Sequence, residues 1–588
     1  MTAVMAMVLA FGATACGGKY TGPTIDPNKT QIYVYTVENG IGHQWMKDLA
    51  AKWNETQEEY EVIPRSGGDD LLVTFDGWVT NKATDVNIYF GCQSAIFNMI
   101  QNGNVLDLSP VYNMVVDEDG DTIAQKTFNY DAVISKAFTD ENGNGIYAIP
   151  YATGMSGLVF DYDMFVENGY MKYASVSDKA TAEAQGAQVT TDSLYGLQVL
   201  KLSADFKNYS AGDVLLSAGK DGKFGTYDDG QAETWEEFYE MLSIILEDMY
   251  GYVYTTKSYN AYVPTVYNAM LAQFMGYENY TTMMTLDGTI TEASGATTPI
   301  KPSTGVNVWQ SKVVQDAYAH SMQFFYDNII GKVGSINGTN YNNLLHPAST
   351  ESGLTHKSAQ TKFVQGFMPN STGEAAFLVE GVWWEGTEAK GVINQAARES
   401  GDPTRAYGVR EYRYYLYPDM EGQVGEKSVV ACQDDGCGVR LNVYPEKCKT
   451  TEEKRAFDQK CYEFLAFTLS DESLQHYTKT HGIGRPFDYT MSEEDLAMLT
   501  PFQRAAWEIS HDTENIDVVC PQYMKNLSLV RSKGGFNDYY AAVGADTFTT
   551  PQDAFALTNP TTYLTNLFKD VAANYTSAYD KVKEYINE

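Results

Sequence analysis

The sequence predicts an α/β fold organised around parallel sheet, and three observations carry the reading. Short runs rich in β-branched and aromatic residues alternate with stretches of helical spacing from residue 30 onward, the order that builds strand–helix–strand units. The 588 residues exceed what one hydrophobic core supports, so the chain divides into about four domain-sized units or two large lobes. Hydrophobic residues make up 44% and charged residues 20%, which suits packed soluble domains and excludes a disordered chain or a polytopic membrane bundle.

The elements follow in order. Thr30 to Thr36 (TQIYVYT) reads as a strand, and Trp45, Leu49 and Trp53 then share one helical face. Tyr60-Glu-Val-Ile63 and Asp85-Val-Asn-Ile-Tyr-Phe90 are the second and third strands, with helical sequence between them. Ile146 to Tyr151 and Gly157 to Phe160 add two more, and Asp163 to Gly169 (DMFVENG) is a helix that its glycine ends. From 170 to 233 Ser, Thr, Ala, Gly and Asp prevail with weak periodicity, the texture of an insertion. Thr234-Trp-Glu-Glu237 is a capping box before a helix whose face is Phe238, Met241, Leu242 and Ile245. Tyr280 to Thr304 is a Thr/Gly-rich excursion, and Glu374 to Trp384 (EAAFLVEGVWW) is a strand running into an aromatic loop. Capping at Thr450 and Glu453 starts a helix with Phe457, Cys461, Phe464 and Leu465 on one side.

Charge narrows the partners. Lys and Arg number 41 against 76 Asp and Glu, so the net charge of −35 repels phosphate backbones and excludes nucleic acid. Aromatics are abundant, with 43 Tyr, 26 Phe and 8 Trp; a flat apolar ring with a wet hydroxyl matches a sugar, which has a C–H face and a rim of hydroxyls.

Met1 to Ala15 is an apolar run of small residues, long enough for an export signal and too short to span a bilayer, although the positively charged start of such signals is missing. Ala13-Thr14-Ala15-Cys16-Gly17-Gly18 resembles a bacterial lipobox with Ala where Leu is usual, so residues 1–16 are expected to be a lipoprotein signal with Cys16 lipidated and 17–29 a tether. No later stretch reaches eighteen apolar residues, which leaves a soluble body hanging from a membrane's outer face. Of the six other cysteines, Cys432 and Cys437 either close a small loop disulfide or remain two thiols.

Seven segments in order resemble the extracellular solute-binding protein family 1, the receptors of carbohydrate ABC importers. They are Gly40-Ile-Gly-His-Gln-Trp45, Thr84 to Tyr89, Gly103 to Pro110, Tyr147 to Tyr151 with Gly157 to Phe160, Thr234 to Phe238, Ala375 to Trp384, and Phe464 to Ser473 continuing through Gly482-Ile-Gly-Arg-Pro486. The resemblance implies a two-lobed, type II periplasmic-binding-protein-like fold with a hinge and an interlobe ligand cleft. By similarity to maltose-binding-protein-like receptors, lobe one is 30–153 plus 428–485 and lobe two is 154–427 plus 486–588, with surplus length at 170–233 and 280–370. It further implies a monomer at the outer face of a bacterial cytoplasmic membrane that captures an oligosaccharide and delivers it to permease subunits.

In such receptors the loop after the Ala-Ala-Phe strand presents an aromatic to the sugar, which nominates Trp383 and Trp384, with Glu380 as a hydroxyl acceptor. Open α/β sheets bind ligands at the carboxyl ends of their strands, which adds Glu38 and Asn39 after the first strand, Gln93 after the third and Tyr151 at the hinge. Separately, Lys220 to Gly230 (KDGKFGTYDDG) looks like a calcium loop in which Asp221, Asp228 and Asp229 offer hard oxygens, although it lacks the EF-hand spacing; no other cofactor is expected. The rival readings are a secreted glycan hydrolase, whose cleft also needs aromatics and carboxylates, and a receptor of the same fold for a peptide. The sequence holds no GxSxG, HExxH or Walker lysine loop, and the expectation is a binding protein rather than an enzyme.

Overall fold

The computed structural model describes residues 25–37, 41–67, 72–91, 96–140, 142–174, 179–184, 187–191, 198–201, 214–253, 263–325, 334–336, 339–341, 343–351, 353–387, 389–434, 436–519, 525–536 and 560–586. Two sheets organise them. The first has the order β2-β1-β3-β17-β4, from Thr30–Val37 (β1), Tyr60–Gly67 (β2), Ile88–Gly91 (β3), Ile149–Pro150 (β4) and Cys437–Arg440 (β17). β1 runs parallel to β2 and β3, as the strand–helix–strand pattern requires, while β17 returns antiparallel to β3 and β4. Helix Gln44–Glu55 buries Trp45, Met46, Leu49 and Trp53 against this sheet.

The second sheet has the order β18-β16-β5-β14-β9, from Gly154–Asp161 (β5), Tyr250–Val253 (β9), Ala375–Gly381 (β14), Ser428–Asp434 (β16) and Ile516–Val519 (β18), with Tyr412–Tyr415 (β15) pairing β5 as well. All eight residues of β5 are buried, because strands pair with it on both sides and helices Tyr162–Asn168 and Val263–Met275 pack on it. Ser428–Asp434 therefore belongs to the second sheet, and the chain re-enters the first at Cys437 rather than at 428.

The insertions carry small sheets of their own: Gln188–Thr191 (β6), Gln198–Lys201 (β7) and Val214–Leu215 (β8) form one, Gly288–Thr291 (β10) and Thr297–Ile300 (β11) a hairpin, and Gly334–Ile336 (β12) and Thr339–Tyr341 (β13) another. The expected excursion at 280–304 begins inside a helix, Tyr277–Thr285, that ends at Leu286 in the left-handed region (φ 53°). A 23-residue helix, Pro560–Val582, packs on this region, with Phe568 edge-on to Tyr318 and the Tyr575 hydroxyl donating to the Pro302 carbonyl at 2.7 Å. Among the described residues no helix is long and apolar enough to cross a membrane.

Three segments cross between the halves built on these sheets: Pro150 to Gly154, Gly436 between β16 and β17, and the stretch from Gly482 to Tyr489, which leads from helix Asp471–His481 beside the first sheet toward helix Pro501–His511 on the second. They are bonded to one another, Tyr151 N–H to the Gly436 carbonyl (2.9 Å) and Thr153 N–H to the Gly484 carbonyl (3.1 Å). Arg485 on the third is fully buried over the rings of Trp45, Tyr477 and Phe487 and donates to the Thr468 carbonyl at 2.7 Å. Cys432 and Cys437 lie on opposite sides of the second crossover as buried thiols, not as a loop disulfide.

Candidate functional site

Beside the three crossovers the two halves of the molecule enclose a cavity of about 210 Å³. Phe128, Asn129, Val133 and Ile134 approach it from the first-sheet side; Tyr277, Tyr280 and Thr281 from helix Tyr277–Thr285, and Val518 and Val519 from the end of β18, approach it from the second. Thr153 and Pro486 of the crossovers floor it. β18, at the edge of the second sheet, lines the cavity along its whole length.

The wall at 128–134 is locally unusual. Phe128 N–H donates to the Pro486 carbonyl at 3.0 Å, and its half-buried ring stands edge-on to His511, centroids 5.6 Å apart. Asn129 then adopts φ 55°, a left-handed conformation that Asn tolerates better than other side chains, and precedes a single π-helical turn, Tyr130–Ile134. Its carbonyl accepts from Val133 and Ile134, whereas its side chain makes no capping bond and stays exposed. At the lip Lys427 lies 3.5 Å from Asp517 and donates to the Thr513 carbonyl at 2.8 Å, so this cation and this anion compensate each other.

The residues nominated from sequence lie elsewhere. Trp384 is fully buried, edge-on to Phe363, Tyr412 and Phe502, and has no face to offer a solute. Trp383 is 5% exposed, its indole folded back over Gly381 so closely that any Cβ there would collide with it. Glu380, also buried, accepts from the Gln360 side chain (2.9 Å) and the Gly381 N–H (3.0 Å). Tyr151 is buried at the hinge between Trp45 and Phe90. None of these four lines the cavity. Glu38, Asn39, Gln93 and Cys16 fall outside the described residues.

The loop from Lys220 to Gly230, read from sequence as a calcium site, closes on itself. Asp221 accepts from Lys223 N–H (2.7 Å), Asp228 from Asp221 N–H (3.1 Å) and the Thr226 hydroxyl (3.1 Å), and Asp229 from Gly225 N–H (2.7 Å). Burial and the neighbouring Asp221 and Asp229 push the Asp228 carboxyl up to about 8, which favours its neutral form. Among the described residues no group of three or more His, Cys, Asp or Glu side chains could hold a metal ion.

No family model and no curated protein sequence matches the chain. Solved structures do. RafE from Streptococcus pneumoniae in its apo form superposes with a TM-score of 0.51 at 11% identity, covering 95% of this chain and 100% of its own. A probable secreted solute-binding lipoprotein from Streptomyces coelicolor gives a TM-score of 0.50 at 11% identity, covering 94% and 100%. The fold is the two-lobed, periplasmic-binding-protein-like one. In this fold the three bonded crossovers are the joint between lobes, and the cavity of Asn129, Thr153 and Tyr277 lies in the gap they span. Nothing in the sequence marks Phe128-Asn129 or Tyr277, because a lone Asn before a short helical run and a Tyr in a Thr-rich stretch read as ordinary surface.

Proposed function

We propose that the protein is the extracellular solute-binding component of an ABC importer, capturing an oligosaccharide between its lobes and passing it to membrane permease subunits. The observation that carries the reading is a cavity walled by both lobes beside three crossovers, the arrangement that lets lobes close on a solute. The Streptomyces neighbour, a probable secreted solute-binding lipoprotein, agrees with it. The abundance of tyrosine and the compensated charge at the lip favour a neutral, hydroxyl-rich solute. The role is binding without turnover, and Cys16 would anchor the chain through a lipid.

A thermal-shift screen over neutral glycans and peptides tests the reading, since a solute at about 100 times its Kd adds roughly 2.7 kcal/mol to stability. Stabilisation by a glycan without products supports it; cleavage of the glycan makes the protein an enzyme, and stabilisation by peptides alone removes the carbohydrate assignment. Fractionation of cells carrying Cys16→Ser tests the anchor: release into the medium is expected, and unchanged membrane association would refute it.

A further inference from the structure

The second lobe contributes helix Tyr277–Thr285, which runs into the insertion at its far end, to the cavity. The helix buries Met283 and Met284 in the lobe, while the buried Tyr280 lines the cavity and Tyr277 and Thr281 are only half-buried at the gap. Opposite stand Phe128 and Asn129 of the first lobe. Between them, on the first crossover, Thr153 is 5% exposed and its hydroxyl is buried without a hydrogen-bond partner, an arrangement that costs free energy unless something else bonds it. The Asn129 amide, which carries both a donor and an acceptor, is exposed on the same cavity. Beyond the far end of the helix, Asp287 approaches Lys136, just after the π turn, to 3.9 Å across the gap.

We infer that helix Tyr277–Thr285 is the recognition wall of the cleft, and that one neutral hydroxylated ring of the solute is held between Tyr277 and Phe128 with its hydroxyls on the Asn129 amide and the Thr153 hydroxyl. The inference rests on the solute-binding function proposed above and adds which residues read the solute. The aromatic platform is thus supplied by helix Tyr277–Thr285 and by Phe128, not by the Trp383–Trp384 loop. Charge plays little part, because Lys427 and Asp517 at the lip offset each other.

The test is calorimetric titration of the whole chain with maltotriose, raffinose and chitotriose, followed by three variants. Tyr277→Ala should bind the tightest of these at least tenfold more weakly, as loss of an aromatic anchor does. Asn129→Gly keeps the left-handed backbone without strain while removing the amide, and should weaken binding about tenfold with an unchanged melt. Thr153→Val should weaken binding about fivefold while leaving the unliganded protein at least as stable as wild type, since an unsatisfied hydroxyl is removed. If wild type binds a sugar and all three variants bind it equally well, the recognition wall is wrong and the function stands. If wild type binds neither these three sugars nor any neutral glycan of the thermal-shift screen, the carbohydrate function and the ring site fall together.

Discussion

The ring of Tyr151 lies almost parallel to that of Trp45, centroids 5.9 Å apart and planes 20° from each other. Tyr151 sits on the first crossover and Trp45 on the first helix of lobe one, so this stack fixes one end of the hinge to a rigid core. From the second crossover Gly436 passes so close to the same tyrosine that a Cβ would run into its ring. Gly436→Ala must displace either the ring or the crossover, and overpacking of this kind costs about 1–3 kcal/mol. A urea melt of the unliganded protein checks it; a midpoint equal to wild type would mean that the joint has slack.

Trp384 separates a structural from a binding role. Edge-to-face contacts with Phe363, Tyr412 and Phe502 surround a fully buried indole. Trp384→Ala should therefore cost about 3–5 kcal/mol of stability, with affinity near wild type in whatever fraction remains folded. Lost affinity with an intact melt would instead return this indole to the cleft.

These two cases mark what the sequence makes legible. Strand positions and caps were readable because they depend on local chemistry: the run at 30–36 is β1, the capping boxes at Thr234 and Thr450 both form, and Gly169 ends its helix at φ 73°. The direction of a side chain at a strand end depends on what the rest of the chain packs there. Trp383 and Trp384 look alike in sequence whether they face a solute or Phe502. The assignment of 428–434 to the first lobe failed for a related reason, since a short apolar strand carries no mark of which sheet will accept it.

Arg440 was equally silent in the sequence. It is fully buried on β17, donating to the Asn87 and Val443 carbonyls (3.1 and 3.2 Å) and to Asp458 on helix Thr451–Phe467 (2.8 Å), and so ties the returning strand to the first lobe. Asp458→Ala would leave a buried cation without its counter-charge and should cost about 3–5 kcal/mol. Chemical denaturation measures this. A loss under 1 kcal/mol would show that the carbonyls alone satisfy the guanidinium.

The lip of the gap predicts a salt effect of limited size. Lys136 and Asp287 are each more than half exposed and meet at 3.9 Å, so their attraction is screened and worth at most about 1 kcal/mol. If the pair helps hold the lobes together on a solute, Lys136→Gln should speed dissociation less than about fivefold, and the difference from wild type should vanish near 1 M salt. Stopped-flow release at two ionic strengths decides it; an effect that persists in high salt would belong to packing.

Glu385 gives a pH dependence whose sign is fixed. Its carboxyl is buried beside Trp384 and accepts from the Thr500 hydroxyl; burial outweighs that bond and pushes it up from 4.5 to about 7. Between those values the folded protein holds a proton that the unfolded chain has released. The stability contributed by protonated Glu385 is therefore complete below about pH 4 and is lost as pH rises through 7. Glu385→Gln keeps the shape and the acceptor for Thr500 but does not titrate. Relative to the variant, wild type should lose on the order of 3 kcal/mol between pH 4 and pH 8, most of it by pH 7. Urea denaturation of both proteins at five pH values in that range gives the difference directly, because all other titrating groups are shared. A difference that stays constant with pH would mean that Glu385 is ionised in the fold, and that water or a cation reaches it beneath the Trp384 ring.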